Sequence, residues 1–232
     1  MPPSLRYRDF QLFMKRLRRK VGAVRFFMSG EYGDDEEGLH RGKYGTSVGR
    51  PHYHAVLFGY DPADKVYESR SHDGSALYSS KSLAELWGLG IVQVGVVSFS
   101  SAAYVARYVM KKVTGDMAEA WYDGLVPEFC RMSLGRKDED GFSGALGMPW
   151  LKRFYTDVFP SGKVVVNGKE VFLPKIYSRY MKKREGGSDQ YAELELARES
   201  GARAGVVDRT PERLAVREQV LKARVARLKR SL

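Results

Sequence analysis

The first quarter of the chain alternates between helical and strand-like spacing of its apolar residues. Asp9 can cap a helix, and the apolar residues after it recur every three or four positions on one face. These residues are Phe10, Phe13, Met14, Leu17 and Val21. Residues 24–32 and 50–59 are rich in β-branched and aromatic residues and predict two strands. Because a polar, glycine-rich segment joins them, we expect these strands to pair antiparallel.

Shorter patterns predict the elements that follow. Residues 60–80 are polar and predict a surface excursion, residues 82–87 a short helix, and residues 91–97 a central strand. Ser100 or Ser101 can cap a helix that runs through residues 102–112. We therefore expect an α+β fold in which helices pack on a central antiparallel sheet.

The second half of the chain gives local signals for a hairpin, a helix and a linker. Residues 164–171 predict a hairpin, because Asn167-Gly168 suits a two-residue turn. Thr210-Pro211 opens a helix with apolar residues along one side, at Leu214, Leu221, Val225 and Leu228. A glycine pair at 186–187 predicts a linker before that helix. We expect three segments: a core at 1–115, an extension with a hairpin at 116–185, and a basic helical tail at 186–232.

Composition narrows the class of partner. The 232 residues carry a net charge of +11, and 12% of them are aromatic, a combination that suits phosphate backbones and unstacked bases. A merely soluble basic protein, or one held at anionic membranes, would share this composition. No 18-residue apolar run and no signal peptide pattern is present, so we expect a cytoplasmic protein without a membrane segment. The single cysteine, Cys130, excludes an internal disulfide.

Two histidines in the second predicted strand suggest a metal site. His52 and His54 are two positions apart, so they project from the same face of the strand, about 7 Å apart along it. Antiparallel pairing would bring Glu31, at the end of the preceding strand, beside them. Two imidazoles and a carboxylate accept Mg²⁺ or Mn²⁺ and do not exclude Zn²⁺. Two unrelated histidines and an exposed glutamate are the alternative.

The helix after Ser101 carries candidate reacting groups. Tyr104 and Tyr108 are one helical turn apart, and Lys111 and Lys112 continue that side. Two tyrosines at this spacing are usually core or interface packing. Paired hydroxyls followed by paired ammonium groups, in a basic chain that also has His-x-His, favour a role with phosphates.

Five motifs together resemble the HUH endonucleases that start rolling-circle replication, and most closely the initiators of microviruses of the gokushovirus branch. They are Asp9-Phe10-Gln11-Leu12-Phe13, Gly30-Glu31-Tyr32-Gly33, Arg50-Pro51-His52-Tyr53-His54, Met132-Ser133 and Leu173-Pro174-Lys175-x-Tyr177. The glutamate, the two histidines, the two tyrosines and the two lysines also occur in the order of that family. The resemblance covers roughly residues 4–185.

The resemblance implies a metal-dependent nickase and strand transferase with an HUH/RRM-like sheet. A tyrosine, Tyr104 or Tyr108, would attack a phosphodiester of single-stranded origin DNA and form a 5′-phosphotyrosyl link. Glu31, His52 and His54 would hold the ion, while Lys111 or, preferably, Lys112 would lower the phenol pKa or hold the phosphate. The protein would act in the cytoplasm of a bacterial host, with the host replication machinery as a partner.

Two further expectations complete the comparison with that family. Its members carry a strand with a Thr-Leu-Thr-type motif before the first helix, whereas Met1 here leads straight into the helix, so we expect the sheet to lack its first strand. This would follow if the reading frame began late or the chain were a fragment. We expect six basic side chains to contact DNA: Arg16, Arg19, Arg50, Arg107, Lys175 and Arg179.

Two other function classes remain open from the sequence. A non-catalytic RRM-like binder of single-stranded nucleic acid would share the sheet, the charge and the aromatic residues. A hydrolytic zinc enzyme would need another His or Cys near the pair, and none lies nearby in the chain. Tyrosines that lie against the His52/His54 face favour the enzyme, and tyrosines packed in the core favour the binder.

Overall fold

The computed structural model describes residues 4–33, 49–71, 74–107, 112–135, 144–184 and 186–227. The chain divides into two compact units between Ser133 and Leu134. It is a mixed α+β protein with small antiparallel sheets and helices in its C-terminal part. Among the described helices, none is both long enough and apolar enough to cross a membrane.

The first unit contains four helices and six strands within the described residues. The helices are α1 (Tyr7–Val21), α2 (Lys81–Trp87), α3 (Phe99–Arg107) and α4 (Met117–Tyr122). The strands are β1 (Arg25–Tyr32), β2 (Pro51–Phe58), β3 (Lys65–Arg70), β4 (Ala76–Ser80), β5 (Val94–Gly95) and β6 (Phe129–Met132). They form two antiparallel sheets, in the orders β2-β1-β6 and β3-β4-β5.

The β2-β1-β6 sheet has one apolar face, and α1 covers it. Phe26 and Met28 of β1 point into a buried cluster with four α1 residues, namely Phe10, Phe13, Met14 and Leu17. Phe10 and Phe26 meet edge to face, with 5.0 Å between ring centroids. Because side chains alternate along a strand, Ser29 and Glu31 of β1 point to the opposite face. The helix therefore fixes which side of the sheet is left for polar groups.

Several predicted elements are confirmed. The helix after Arg6, the first two strands and their antiparallel pairing are present, and Glu31 lies opposite His52 in the register. Asp9 is not the helix cap, because α1 begins two residues earlier, where the Tyr7 ring packs on Phe129. Asp9 instead lies in the first turn, where the helix dipole favours an acidic side chain.

Other predictions for the first unit are wrong. Residues 60–80 lie largely at the surface, as expected, but they form the β3–β4 hairpin, which the polar pattern does not predict. The predicted central strand at 91–97 is reduced to Val94–Gly95 at the edge of the small sheet, and Ile91 is 85% exposed. Helix α3 begins at Phe99 because Ser98 and Ser101 bond reciprocally, each side-chain oxygen accepting from the other's backbone N–H.

The second unit is built on its own apolar cluster. It contains α5 (Met148–Val158), a hairpin of β7 (Lys163–Val166) and β8 (Lys169–Phe172), α6 (Lys175–Lys183), α7 (Ser188–Ala204), a 3₁₀ turn (Gly205–Arg209) and α8 (Pro211–Ala226). The Asn167-Gly168 hairpin is confirmed, with positive φ at both residues. Thr210 caps α8, as predicted. The glycines at 186–187 make a tight turn between α6 and α7, and Leu194 of α7 packs into the cluster with Leu151 and Met181.

We predict that Asp64 stabilises the fold in a pH-dependent manner. Its carboxylate accepts hydrogen bonds from the Ser80 hydroxyl and from the backbone N–H and hydroxyl of Ser82, at the start of α2. These hydrogen bonds lower the pKa of Asp64 from 3.8 to about 2, and the bond from Ser80 has the largest effect. A depressed folded-state pKa stabilises the protein above the unfolded-state value, and this stabilisation is lost as pH falls towards 2.

Asp64→Asn should therefore lower the urea midpoint at pH 7, and its deficit should shrink as pH falls from about 4 towards 2. Asp61→Asn is the matched control, because Asp61 makes only a surface pair with Lys65 in the described contacts. An equal deficit for Asp64→Asn at pH 7 and near pH 2 would contradict this role.

Candidate active site

Four side chains share the polar face of the β2-β1-β6 sheet. Ser29 and Glu31 of β1 lie directly opposite His54 and His52 of β2, respectively. Both β1 residues have no solvent exposure, whereas the two histidines are partly exposed. The sequence places them there because both strands have a period of two and the register puts their polar positions on the same face.

Glu31 and His54 form the closest polar contact of the site. His54 Nε2 lies 2.7 Å from Glu31 Oε1. A fully buried carboxylate is unfavourable unless charge or hydrogen bonds compensate it. The imidazole meets part of this need, and the contact fixes the orientation of its ring.

His52 is held differently. Its ring lies 6.5 Å from that of His54, centroid to centroid, and the two rings are inclined by 26°. His52 Nε2 lies 3.3 Å from an Arg50 guanidinium nitrogen, while Nδ1 is buried and has no hydrogen-bond partner among the described residues. Burial, and then the nearby Arg50 charge, lower the pKa of His52. The ring is therefore neutral at pH 7, the form that offers a lone pair to an ion.

Glycines make room for His52 at the end of the strand pair. A Cβ on Gly33 would lie 2.7 Å from His52 Cε1, and one on Gly49 would lie 2.1 Å from the Gly33 carbonyl oxygen. The Gly33 N–H donates to the Arg50 carbonyl at 2.9 Å. Absence of side chains at 33 and 49 thus allows both the close approach of the two strand ends and the position of the His52 ring.

Helix α3 brings a tyrosine to this face. The Tyr104 ring meets His54 edge-on, with 5.8 Å between centroids, and the Arg107 guanidinium lies 5.9 Å from the Tyr104 centroid. Tyr104 is only partly buried, whereas its neighbour Val105 is buried. Tyr108 and Lys111 lie outside the described residues, and Lys112 is exposed beyond the end of α3. Of the two predicted tyrosines, Tyr104 is therefore the one whose contact with the histidine face is described.

The donor chemistry of the face fits a divalent ion. Two imidazoles and a carboxylate share it, and His52 Nδ1 is a buried acceptor or donor whose partner is missing in the described residues. No three His, Cys, Asp or Glu side chains are grouped closely enough for an ion within the described part of the chain. His54 Nε2 instead contacts Glu31. An ion at this face would have to replace that contact.

Sequence reasoning missed two residues of this face. Cys130 of β6 lies opposite Ser29 in the register and so belongs to the same face. Ser29 has a buried hydroxyl without a hydrogen-bond partner among the described residues. Only the pairing of β6 with β1 could reveal Cys130, because about 100 residues separate the two strands.

The six predicted DNA contacts fall in different places. Arg50 and Arg107 lie beside His52 and Tyr104, as described above. Arg16 and Arg19 are on α1, which packs on the apolar face, and Arg16 donates to the carbonyls of Leu86 and Trp87 at 2.7 and 3.1 Å. Lys175 and Arg179 are exposed on α6 in the second unit. Contact with DNA stays a prediction for all six.

A buried hydrogen-bond network anchors the chain just after Lys112. The Val113 N–H donates to Tyr122 Oη at 2.9 Å, and the Tyr122 hydroxyl donates to the buried Glu128 carboxylate. Burial, followed by the Glu128 contact, raises the pKa of Tyr122 to about 12. The phenol therefore stays protonated at pH 7 and remains a donor to Glu128. This network fixes the segment that follows the tyrosine-bearing region.

Comparison with known proteins adds independent information. Residues 2–113 match the family model described as Replication-associated protein ORF2/G2P. Replication-associated protein VP4 of Bdellovibrio phage phiMH2K is 29% identical over 77% of this chain and 53% of its own length. Replication-associated protein ORF4 of Chlamydia phage 1 is 29% identical over 77% of this chain and 42% of its length. No solved structure matches the chain.

A third relative is Replication-associated protein ORF2 of Spiroplasma virus 4, which is 28% identical over 61% of this chain and 42% of its own length. The matches define the class as a phage replication-associated protein. The chain is thus similar to the replication-associated proteins of small single-stranded DNA phages, the microviruses, and just under half of it matches the ORF2/G2P family model. It spans about half the length of these curated relatives. The predicted resemblance to microvirus replication proteins is thereby confirmed.

We predict that Tyr122→Phe destabilises the protein by about 1–3 kcal/mol, because the Val113 N–H and the buried Glu128 carboxylate each lose a partner. Urea unfolding measures the difference. Tyr67→Phe removes the same atom from a tyrosine that is 56% exposed and should leave stability within about 0.5 kcal/mol of the original. Equal stability of the two variants would show that the network contributes nothing.

Proposed function

We propose that this chain is the nicking unit of a phage replication initiator with an HUH-type active-site sheet. The contact of Tyr104 with His54, on the face that also holds Glu31 and His52, is the observation that carries the proposal. Similarity to phage replication-associated proteins supports single-stranded DNA as the substrate. The protein would act in the cytoplasm of the bacterial host, where the host replication machinery would extend the free 3′-hydroxyl that it produces.

In the proposed reaction a tyrosine oxygen attacks the phosphorus of a phosphodiester in single-stranded DNA. The new bond links the tyrosine to the 5′-phosphate, the bond to the 3′-oxygen breaks, and that oxygen takes up a proton and becomes a free 3′-hydroxyl. The phenol loses its proton in the same step. Since one phosphoester bond replaces another, a later attack by a 3′-hydroxyl can rejoin the ends without ATP.

The residues of the site would act as nucleophiles, phosphate contacts and metal ligands. Tyr104 and Tyr108, four positions apart in the sequence, are the candidate nucleophiles, and cleavage and rejoining would alternate between them. Lys112 or Lys111 would hold the phosphate or stabilise the phenolate as a point charge. His52, His54 and Glu31 would hold a divalent ion, Mg²⁺ or Mn²⁺ by their donor types. When bound, such an ion polarises a phosphoryl oxygen and stabilises the charge that develops on it.

Contacts among the described residues support these roles. Arg50 lies against His52 and is exposed, so it is available to a DNA phosphate beside the ring. Arg107 lies over the Tyr104 ring, where a cation favours the phenolate and the phosphate alike. His54 is fixed by Glu31, and this contact orients the imidazole before any ligand arrives.

We expect His52→Ala and His54→Gln each to lower divalent-dependent nicking by about 100-fold or more, because charge stabilisation at the phosphate is removed. His54→Gln keeps an amide donor for the buried Glu31 carboxylate, so a drop in activity would not reflect a carboxylate left without a donor. Nicking of single-stranded phage DNA with Mn²⁺ is measured on a denaturing gel, and Mn²⁺ binding by titration.

His72→Ala is the control for His52→Ala, since it makes the same change at a histidine to which the proposal gives no role; His72 lies outside the described residues. Unchanged nicking in both His52→Ala and His54→Gln would reject the proposed metal role. Loss of activity with unchanged Mn²⁺ binding would assign the histidines to another task and equally reject it.

We expect the double variant Tyr104→Phe/Tyr108→Phe to form no covalent protein–DNA adduct, because neither remaining ring carries a nucleophilic oxygen. The assay uses single-stranded phage DNA labelled at its 3′ end, since that fragment carries the 5′-phosphate and stays on the protein through denaturation. Each single variant should retain part of the adduct if the two tyrosines can substitute for one another.

Tyr67→Phe is the control, an exposed tyrosine of β3 outside the site. An adduct that persists in the double variant would assign the nucleophile to another residue. Retained binding of single-stranded DNA with no adduct in the unmutated protein would instead identify a non-catalytic binder.

A further inference from the structure

The second unit carries an aromatic row on its surface. We use this name for Trp150 and Phe154 of α5 and Tyr177 of α6. Trp150 lies 5.7 Å from Phe154 and 6.5 Å from Tyr177, centroid to centroid, and its plane is inclined by only 23° to that of Tyr177. The Trp150 side chain is 43% exposed. Its indole therefore presents a flat surface to solvent from a row of rings.

The aromatic row has a rigid base. The residues beneath it on α5 and α6 belong to the buried cluster of the second unit, among them Met148, Leu151 and Met181. Gly147 has a φ of 86°, and a Cβ there would lie 2.2 Å from the Tyr177 hydroxyl. The Tyr177 ring thus packs directly against the backbone at the start of α5. A ring fixed in this way loses little conformational entropy when a ligand stacks on the row.

Positive charge is concentrated in the same part of the chain. Residues 144–184 contain nine lysines and arginines but only two acidic residues, Asp157 and Glu170. Residues 186–227 contain eight basic and seven acidic residues, so their charges nearly cancel. The Arg153 guanidinium lies 5.2 Å from the Phe154 centroid, at one end of the aromatic row. Lys175 is exposed two residues before Tyr177.

Stacked rings beside exposed cations are the features by which proteins bind single-stranded nucleic acid without sequence preference. An acidic protein partner would use the cations but gains less from an exposed row of aromatic faces. A duplex would offer phosphates but keeps its bases paired and stacked. Charge and ring geometry together favour a single strand.

We propose that the aromatic row is a second binding surface for single-stranded DNA, on which bases stack against Trp150 while Arg153 and Lys175 contact phosphates. The surface lies wholly within the second unit and needs neither the metal nor the tyrosines of the proposed nicking site. It would hold single-stranded DNA while cleavage occurs at the proposed nicking site, a role that rests on the proposed function and extends it.

The test measures binding of a 20-nucleotide oligo(dT) to the full chain in EDTA, by fluorescence anisotropy, so that no nicking can contribute. Trp150→Ala should weaken binding roughly 5- to 150-fold, the range found for removal of one base–aromatic stack. Trp150→Phe keeps a ring and should retain most of the affinity. Arg153→Gln with Lys175→Gln should lower the slope of log K against log salt by about 0.7 for each phosphate that the protein no longer neutralises.

Trp121→Ala is the matched control, because Trp121 of the first unit is 42% exposed and lies outside the aromatic row. It should bind oligo(dT) within about twofold of the original protein. Equal affinities for Trp150→Ala and Trp121→Ala would overturn the proposal, as would a duplex that competes as well as the single strand. Adduct formation by Trp150→Ala on short phage DNA is scored separately, so failure of this surface and failure of the nicking site are distinguishable.

Discussion

The arrangement of the first unit depends on the buried carboxylate of Glu31. This residue lies on β1, the middle strand of the β2-β1-β6 sheet, and has no solvent exposure. Burial of the Glu31 carboxylate is unfavourable by itself, and the contact of its Oε1 with His54 Nε2 offsets part of that cost. This requirement divides the sheet into a polar face and an apolar face. The apolar face is closed by α1, so the polar face is the one on which a tyrosine of α3 meets the histidine.

The two faces depend on a single register. A slip of one residue between β1 and β2 would move His52 and His54 to the side of α1 and bring Tyr53 and Ala55 to the polar side. Several contacts oppose such a slip. Tyr53 exchanges hydrogen bonds with the backbone of Arg6, and it packs edge-on against Trp87. The apolar core therefore stabilises the arrangement of the polar site through the strand that they share.

Local sequence signals predicted the parts of the structure that local physics determines. The period of two placed His52 and His54 on one face, and the Asn167-Gly168 turn and the Thr210 cap gave elements close to those observed. Glu31 was placed beside the histidine pair by assuming the simplest antiparallel connection. Tyr104 was singled out by its spacing from Tyr108, and its position against His54 required the packing of α3 on the sheet.

The remaining features depend on contacts between distant residues. Nothing in residues 129–132 indicates a strand until it pairs with β1, and with it Cys130 joins the polar face. The β3–β4 hairpin was missed because half of its side chains are polar and its bulge interrupts the alternation near Glu68. The apolar residues at 91–97 look buried in sequence but are largely exposed in this chain. In the second unit, stacking of Trp150 on Tyr177 joins residues from different helices.

The close approach of Gly33 and Gly49 has a consequence for the tolerance of the fold to insertions. The hydrogen bond from Gly33 to Arg50 closes the intervening segment at its base, so the strand ends are joined whatever the length or composition of the chain between them. Insertions and substitutions there would leave the imidazoles in place. A change in the length of that segment would therefore alter its closure entropy only slightly and leave the two strand ends joined.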